Sequence, residues 1–189
     1  MKKLIPVLVI SVLILTVGLV VAQGGLPGTG WLSGQQIQNV GTGTATVAFT
    51  AYDMSGNPTS CDERSVAAGA STTWATSDPN QCPVPAGFIG SAVVSANEPI
   101  AAIVNVSNNP GRANGQYQGT DGADVSTSIS FPLVKSNHVN RTTTFYVQNA
   151  GNANANITAT FVVKGVTKVK TYNSVPPNAM VVISPADAG

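Results

Sequence analysis

The chain has 189 residues, of which 43% are hydrophobic and 9% charged, with a formal net charge of +1. That length allows one or two domains, and the apolar content with so little net charge excludes an intrinsically disordered chain. Gly, Ala, Ser, Thr, Asn and Val replace the missing charge, and no basic aromatic stripe marks a nucleic-acid binder.

Residues 1–22 read as a secretory signal. Lys2 and Lys3 precede an uncharged apolar run from Leu4 to Ala22, and Val20-Val21-Ala22 offers small residues before Gln23, which is the pattern of a basic region, an apolar helix and a cleavage site. The alternative is an uncleaved anchor, the chain's one route to a membrane, because a run of this length could just span a bilayer. No Cys stands at the exit, which argues against a lipid-modified terminus. Cys61 and Cys82 are the chain's two cysteines, and an even pair in an exported protein predicts a disulfide. Closing that loop contributes about 3 kcal/mol on the chain-entropy argument. Two thiols do not make a structural zinc site, which takes four ligands.

Residues 23–30 form a Gly/Pro linker. Its Leu26-Pro27-Gly28-Thr29-Gly30 matches a sortase pattern, but one that works at a carboxy terminus, so a linker is the expectation. Beyond it the chain alternates. Thr44–Tyr52 puts Ala45, Val47, Phe49 and Ala51 on one face and Thr44, Thr46 and Thr50 on the other, the period of a strand with one buried face. Ser71–Ser77, Gly87–Ser95, Ile100–Ser107 and Val125–Leu133 are further strand candidates, punctuated by Asn, Gly, Pro and Ser. No amphipathic helix follows the signal, and short strands with regular turns predict an all-β sandwich or barrel.

An internal repeat is the strongest signal. Ile37-Gln38-Asn39-Val40-Gly41 is answered by Val147-Gln148-Asn149-Ala150-Gly151, and Ser65-Val66-Ala67-Ala68-Gly69-Ala70 by Ser174-Val175-Pro176-Pro177-Asn178-Ala179, at offsets of 110 and 109 residues. An immunoglobulin-type sandwich takes ~100 residues. The Asn-x-Gly motifs, Asn39/Gly41 and Asn149/Gly151, predict hairpins: Asn bonds its own nearby backbone and Gly accepts positive φ. The expected organisation is a seven-stranded repeat over 31–131 and a partial second copy over 132–189. A half-sheet exposes an unpaired edge, so either further strands follow or a partner supplies them.

Phe131–Asn137 and Thr143–Gly151, with Gly87–Val94 and Pro99–Asn105, resemble the repeats of secreted bacterial cell-surface proteins, and the Asn-x-Gly turn is similar to the opening of adhesion-type immunoglobulin-like modules. The resemblance covers residues 31–189. It implies a tandem extracellular array of β-sandwiches and brings no catalytic residues; the shortened second copy departs from its pattern.

The chemistry of a site is sparse. A Ser-His-Asp hydrolase needs a His, and the chain's one, His138, lies in the polar segment Ser136–Asn140 and reads as a solvated linker residue. The eight Asp and Glu sit mostly beside turns, not as the facing pair that glycoside hydrolysis needs, and phosphate- and dinucleotide-binding motifs are missing. No enzyme, cofactor or nucleic-acid partner is expected. Asp121 and Asp124 in a Gly-rich loop are the weak calcium candidate; an ordinary turn is the plainer reading because a third acidic position is lacking. The N-x-S/T asparagines Asn105, Asn140 and Asn156 are minor glycosylation candidates. Trp31, Trp74, Tyr117, Tyr146 and Tyr172 offer either core packing or a sugar platform, packing being the commoner fate in a sandwich.

Charge divides along the chain. Residues 23–131 hold seven acidic and two basic residues, net −5, whereas 132–189 hold five basic and one acidic, net +4. Chance placement is the plain reading; steering of head-to-tail contacts is the sharper one. The expected function is a non-enzymatic cell-surface spacer or adhesion module, whose partners are other surface repeats or copies of itself. Its alternatives are a fibre subunit completed by a neighbour's strand and a carbohydrate-binding accessory module that takes envelope or extracellular glycans.

Overall fold

The computed structural model describes residues 30–108, 113–163 and 165–188. The expected signal or anchor helix, and the linker up to Thr29, lie outside the described residues.

The fold is all-β, and every strand pair among the described residues is antiparallel. The amino-terminal half holds β1 (Trp31–Asn39), β2 (Ala45–Asp53), β3 (Pro58–Ser60), β4 (Arg64–Val66), β5 (Ser71–Ala75), β6 (Gly90–Ala96), β7 (Ile100–Asn108) and β8 (Ala113–Gln118). One sheet runs β5-β1-β7-β8; in the other, β2 pairs β3 and β4 along one edge and β6 along the other. The carboxy-terminal half holds β9 (Phe145–Gln148), β10 (Ala155–Val163), β11 (Val166–Val175), β12 (Met180–Ile183) and a closing 3-10 turn, Pro185–Ala188. There β9 pairs β12, and β10 pairs β11.

The core follows from the alternation. Ala45, Val47, Phe49 and Ala51 of β2 are all buried, and they meet Ile37 of β1 and Trp74 of β5 in one cluster that joins the two sheets face to face. Phe49 and Trp74 stack, ring centroids 5.6 Å apart. Burying such side chains stabilises by about 1.5–3 kcal/mol each.

Cys61 and Cys82 are disulfide-bonded across a separation of 21 residues, and the segment they bracket carries β5 with Trp74. The indole N–H donates to Asp62 O (3.0 Å), and the Arg64 guanidinium lies 4.5 Å above the ring. Gln81 Oε1 accepts from Arg64 Nη2 and from Ala75 N, each at 3.1 Å. Trp74 is thereby a core residue with its polar edge satisfied.

Two expectations need correction. Among the described residues the first sheet pair contains eight strands, the last ending at Gln118, where roughly seven are expected. The extra ones are β3 and β4, short pieces on either side of Cys61, and β8, whose sequence has no apolar alternation and which is held by its ladder with β7. Val125–Leu133 is not a strand. Its alternation is real, but the apolar side meets no opposing sheet: Val125, Ile129, Phe131 and Leu133 are 51–68% exposed.

Reducing the disulfide, or replacing Cys82 by Ala, removes a cross-link worth about 2–4 kcal/mol. Calorimetry of the oxidised and reduced protein is expected to show the amino-terminal transition fall by roughly 10–20 °C; an unchanged midpoint contradicts this account of the loop.

Candidate functional site

The repeat landmarks recur as geometry. Asn39 is fully buried. Its Nδ2 donates to Gly43 O (2.8 Å) and Val66 O (2.9 Å), and its Oδ1 accepts from Gly41 N (2.9 Å). Asn149 repeats every bond: Nδ2 to Ala153 O (2.8 Å) and Val175 O (2.9 Å), Oδ1 from Gly151 N (3.0 Å). The backbone agrees, with Asn39 N bonded to Ala70 O and Gly69 N to Asn39 O, as Asn149 N is to Ala179 O and Asn178 N to Asn149 O. Gly69 and Asn178 both take positive φ, 74° and 61°, a conformation that Gly adopts freely and Asn tolerates better than most.

Strand registers match as well. Gln38 opposes Ser71 as Gln148 opposes Met180, and Ala45 opposes Val66 as Ala155 opposes Val175.

The Asn-x-Gly turns are not hairpins. β1 and β2 lie in different sheets, as do β9 and β10, so each turn is an arch between sheets, cross-linked by its buried amide. Nor does Gly41 take positive φ. It is required because a Cβ there would collide with the Glu98 carboxylate and come within 2.9 Å of Pro99.

Where the two halves differ is at their edges. β1 pairs both β5 and β7, and β2 pairs β6 on its second edge. Among the described residues β9 pairs β12 alone and β10 pairs β11 alone. The inner residues show the consequence: Ala155, Ile157 and Ala159 of β10 are half-buried where Ala45, Val47 and Phe49 of β2 are buried. The candidate functional site is this pair of free strand edges and the apolar face between them. Phe131, Phe145 and Phe161 line its mouth, with centroids 4.5 Å apart for the first pair and 6.4 Å for the second.

Comparison with protein-family models, curated proteins and solved structures finds no match to this chain.

The remaining predicted residues are scattered. Asp121 Oδ1 accepts from Ala123 N (2.8 Å), a local turn, and no group of three or more metal-binding side chains occurs among the described residues. His138 is exposed and forms a two-residue turn with Arg141, its N–H bonded to Arg141 O at 3.0 Å. Trp74 is sealed in the core and inaccessible to a sugar. Asn105 and Asn140 are exposed; Asn156 is exposed but its Oδ1 accepts from Ser174 N (2.9 Å).

The two halves also touch. Met180 N donates to Met54 O (3.3 Å) and Ser91 Oγ to Asn178 O (3.0 Å). Asp53 shapes the turn that makes the first contact, accepting from Ser55 N, Asn57 N and Asn57 Nδ2 at 2.8–2.9 Å. At its tip Gly56 has φ 87°, and a Cβ there would fall 2.5 Å from Pro177 O. The Asn57 side chain, foremost among these donors, lowers the Asp53 pKa below its ordinary 3.8. Asp78, capped first by Asn80 N and then by Gln81, is lowered likewise.

Replacing Asn39 by Ala strands buried partners and costs about 2–4 kcal/mol. Thermal unfolding is expected to show the amino-terminal transition drop by more than about 8 °C. Asn149→Ala is expected to leave that transition in place and to expose only the carboxy-terminal half to protease. A lowered folded pKa means stabilisation that is complete above the ordinary carboxylate range and lost as pH falls through the folded value. Unfolding midpoints are therefore expected to hold from about pH 7 to 5 and to fall below about pH 3.8; in Asp53→Asn that acid dependence is weaker.

Proposed function

We propose that the chain is a non-enzymatic structural or adhesion module of a bacterial cell-surface repeat protein, working outside the cytoplasm. The reading takes residues 31–131 as an immunoglobulin-like β-sandwich and 132–189 as a partial second copy. The observation that carries it is the recurrence of the buried-Asn arch, with the same bonds and registers, 110 residues further on. A repeat of that length fits one sandwich of ~100 residues plus a link. Its work is geometric: stacked sandwiches hold what they carry at a set distance from the surface. The Cys61–Cys82 disulfide supports an oxidising compartment.

A second reading, a fibre subunit, is favoured by the free edges of β9 and β10. A strand edge with a half-covered apolar face is what strand addition uses, main-chain bonds giving affinity and alternate side chains giving specificity.

Surface biotinylation of intact cells expressing the chain with a carboxy-terminal tag tests the shared premise. The expected result is a labelled protein with both cysteines oxidised; a protein protected until lysis, with free thiols, sinks the reading.

A further inference from the structure

The amino-terminal sheets show what the free edge of β10 requires. The equivalent edge of β2 is filled by β6, antiparallel, with Val94 and Ala96 turned to the core beside Phe49 and Val47. The missing neighbour of β10 is thus an antiparallel strand with apolar residues at alternate positions. Among the described residues one segment has that pattern and no ladder of its own: Val125–Leu133, whose Val125, Ile129, Phe131 and Leu133 are all exposed.

We propose, building on the fibre reading, that Val125–Leu133 is a donor strand that pairs antiparallel with β10 of a second copy of this chain.

The fit is specific. Aligning this segment end to end with Ala155–Val163 places Leu133 opposite Ala155, Phe131 opposite Ile157, Ile129 opposite Ala159 and Val125 opposite Val163. These four pairs and Thr127 opposite Phe161 lie on the inner face, and Leu133 and Ile129 each meet an alanine. Ser126, Ser128 and Ser130 fall on the outer face with Thr158 and Thr160. Pro132 lacks an N–H and is confined to a sheet edge, and a strand added to the free side of β10 is an edge.

The segment cannot make this pairing within its own chain. Lys135 is clamped to Thr143 by two bonds, Thr143 N to Lys135 O (2.9 Å) and Lys135 N to Thr143 Oγ1 (3.0 Å). Leu133 is therefore held near the start of β9, whereas its partner Ala155 lies beyond the arch at the end of β9. The six steps from Thr143 to Asn149 extend about 20 Å at ~3.3 Å each. In its own molecule Leu133 sits at the wrong end of the face, and Phe131 rests against Phe145 instead.

The test mixes two differently tagged full-length proteins purified after export, one carrying Ser130→Cys and the other Thr158→Cys. These positions oppose each other in the proposed register, and no free cysteine among the described residues competes. Light scattering of the native protein and of Ile129→Asp, an exposed position whose replacement leaves both cores intact, accompanies it. The expected result is a mixed disulfide joining both tags, assembly of the native protein, and at least a tenfold weakening of assembly in Ile129→Asp. Assembly without the mixed disulfide, undiminished in Ile129→Asp, overturns the donor assignment and leaves the fibre reading standing. A chain that stays monomeric at tens of micromolar overturns both. A disulfide formed within single molecules of the Ser130→Cys/Thr158→Cys double variant also overturns the proposal.

Discussion

A buried amide holds the architecture together. Asn39 sits where the chain leaves one sheet for the other, and its side chain ties the arch to Gly43 and to Val66 on the neighbouring strand. An amide offers two donors and an acceptor from one short side chain, so it can bind three backbone groups at the crossing at once. Asp lacks the donors and Gln is a methylene too long. Once this joint is fixed, the facing of the sheets follows, and with it the meeting of Phe49 and Trp74. The same joint at Asn149 sets β9 against β10 before any further strand is present. The arch thus defines a half-built core by itself.

Much of this is legible in the sequence. The alternation of Thr44–Tyr52 identifies the buried face of β2 because the sheet is covered on one side, and period two then reports burial directly. The repeat offsets locate the arches because side-chain and backbone requirements coincide there. What the arch does is not legible: Asn-x-Gly is compatible with a hairpin or with a crossing between sheets, and the choice depends on β5 and β7, which claim both edges of β1. β8 is invisible since Ala113–Gln118 has no apolar face and exists through its partner. Val125–Leu133 fails in the opposite sense. It has the local pattern of a strand but no edge beside it, and the pattern reports a preference that needs a partner to be realised. The half-burial of Ala155, Ile157 and Ala159 is likewise not legible in their alternation, because burial depends on which strands lie beside β10.

Chemistry that could have competed with a mechanical role is used locally. Asp53 and Asp78 organise turns, Asp62 pairs with Arg64 at 2.9 Å, and Arg64 covers Trp74. These are polar groups closing over a small core in a chain with few charges to spare.

If the chain is one stretch of a stacked array, as proposed, the turn from Asp53 to Asn57 bears on more than one chain. Its tip sits against the backbone at Pro177–Ala179 with no room for a β-carbon, so the angle between consecutive units is set by main-chain contact and not left to a loose tether. Errors in that angle do not average out when units are stacked: a fixed rotation per unit accumulates into a superhelix of constant pitch, and bending stiffness grows with the tightness of the joint. On the proposed repeat-protein reading, the missing β-carbon of Gly56 would then set the pitch of the stacked array, regular with glycine and irregular without it.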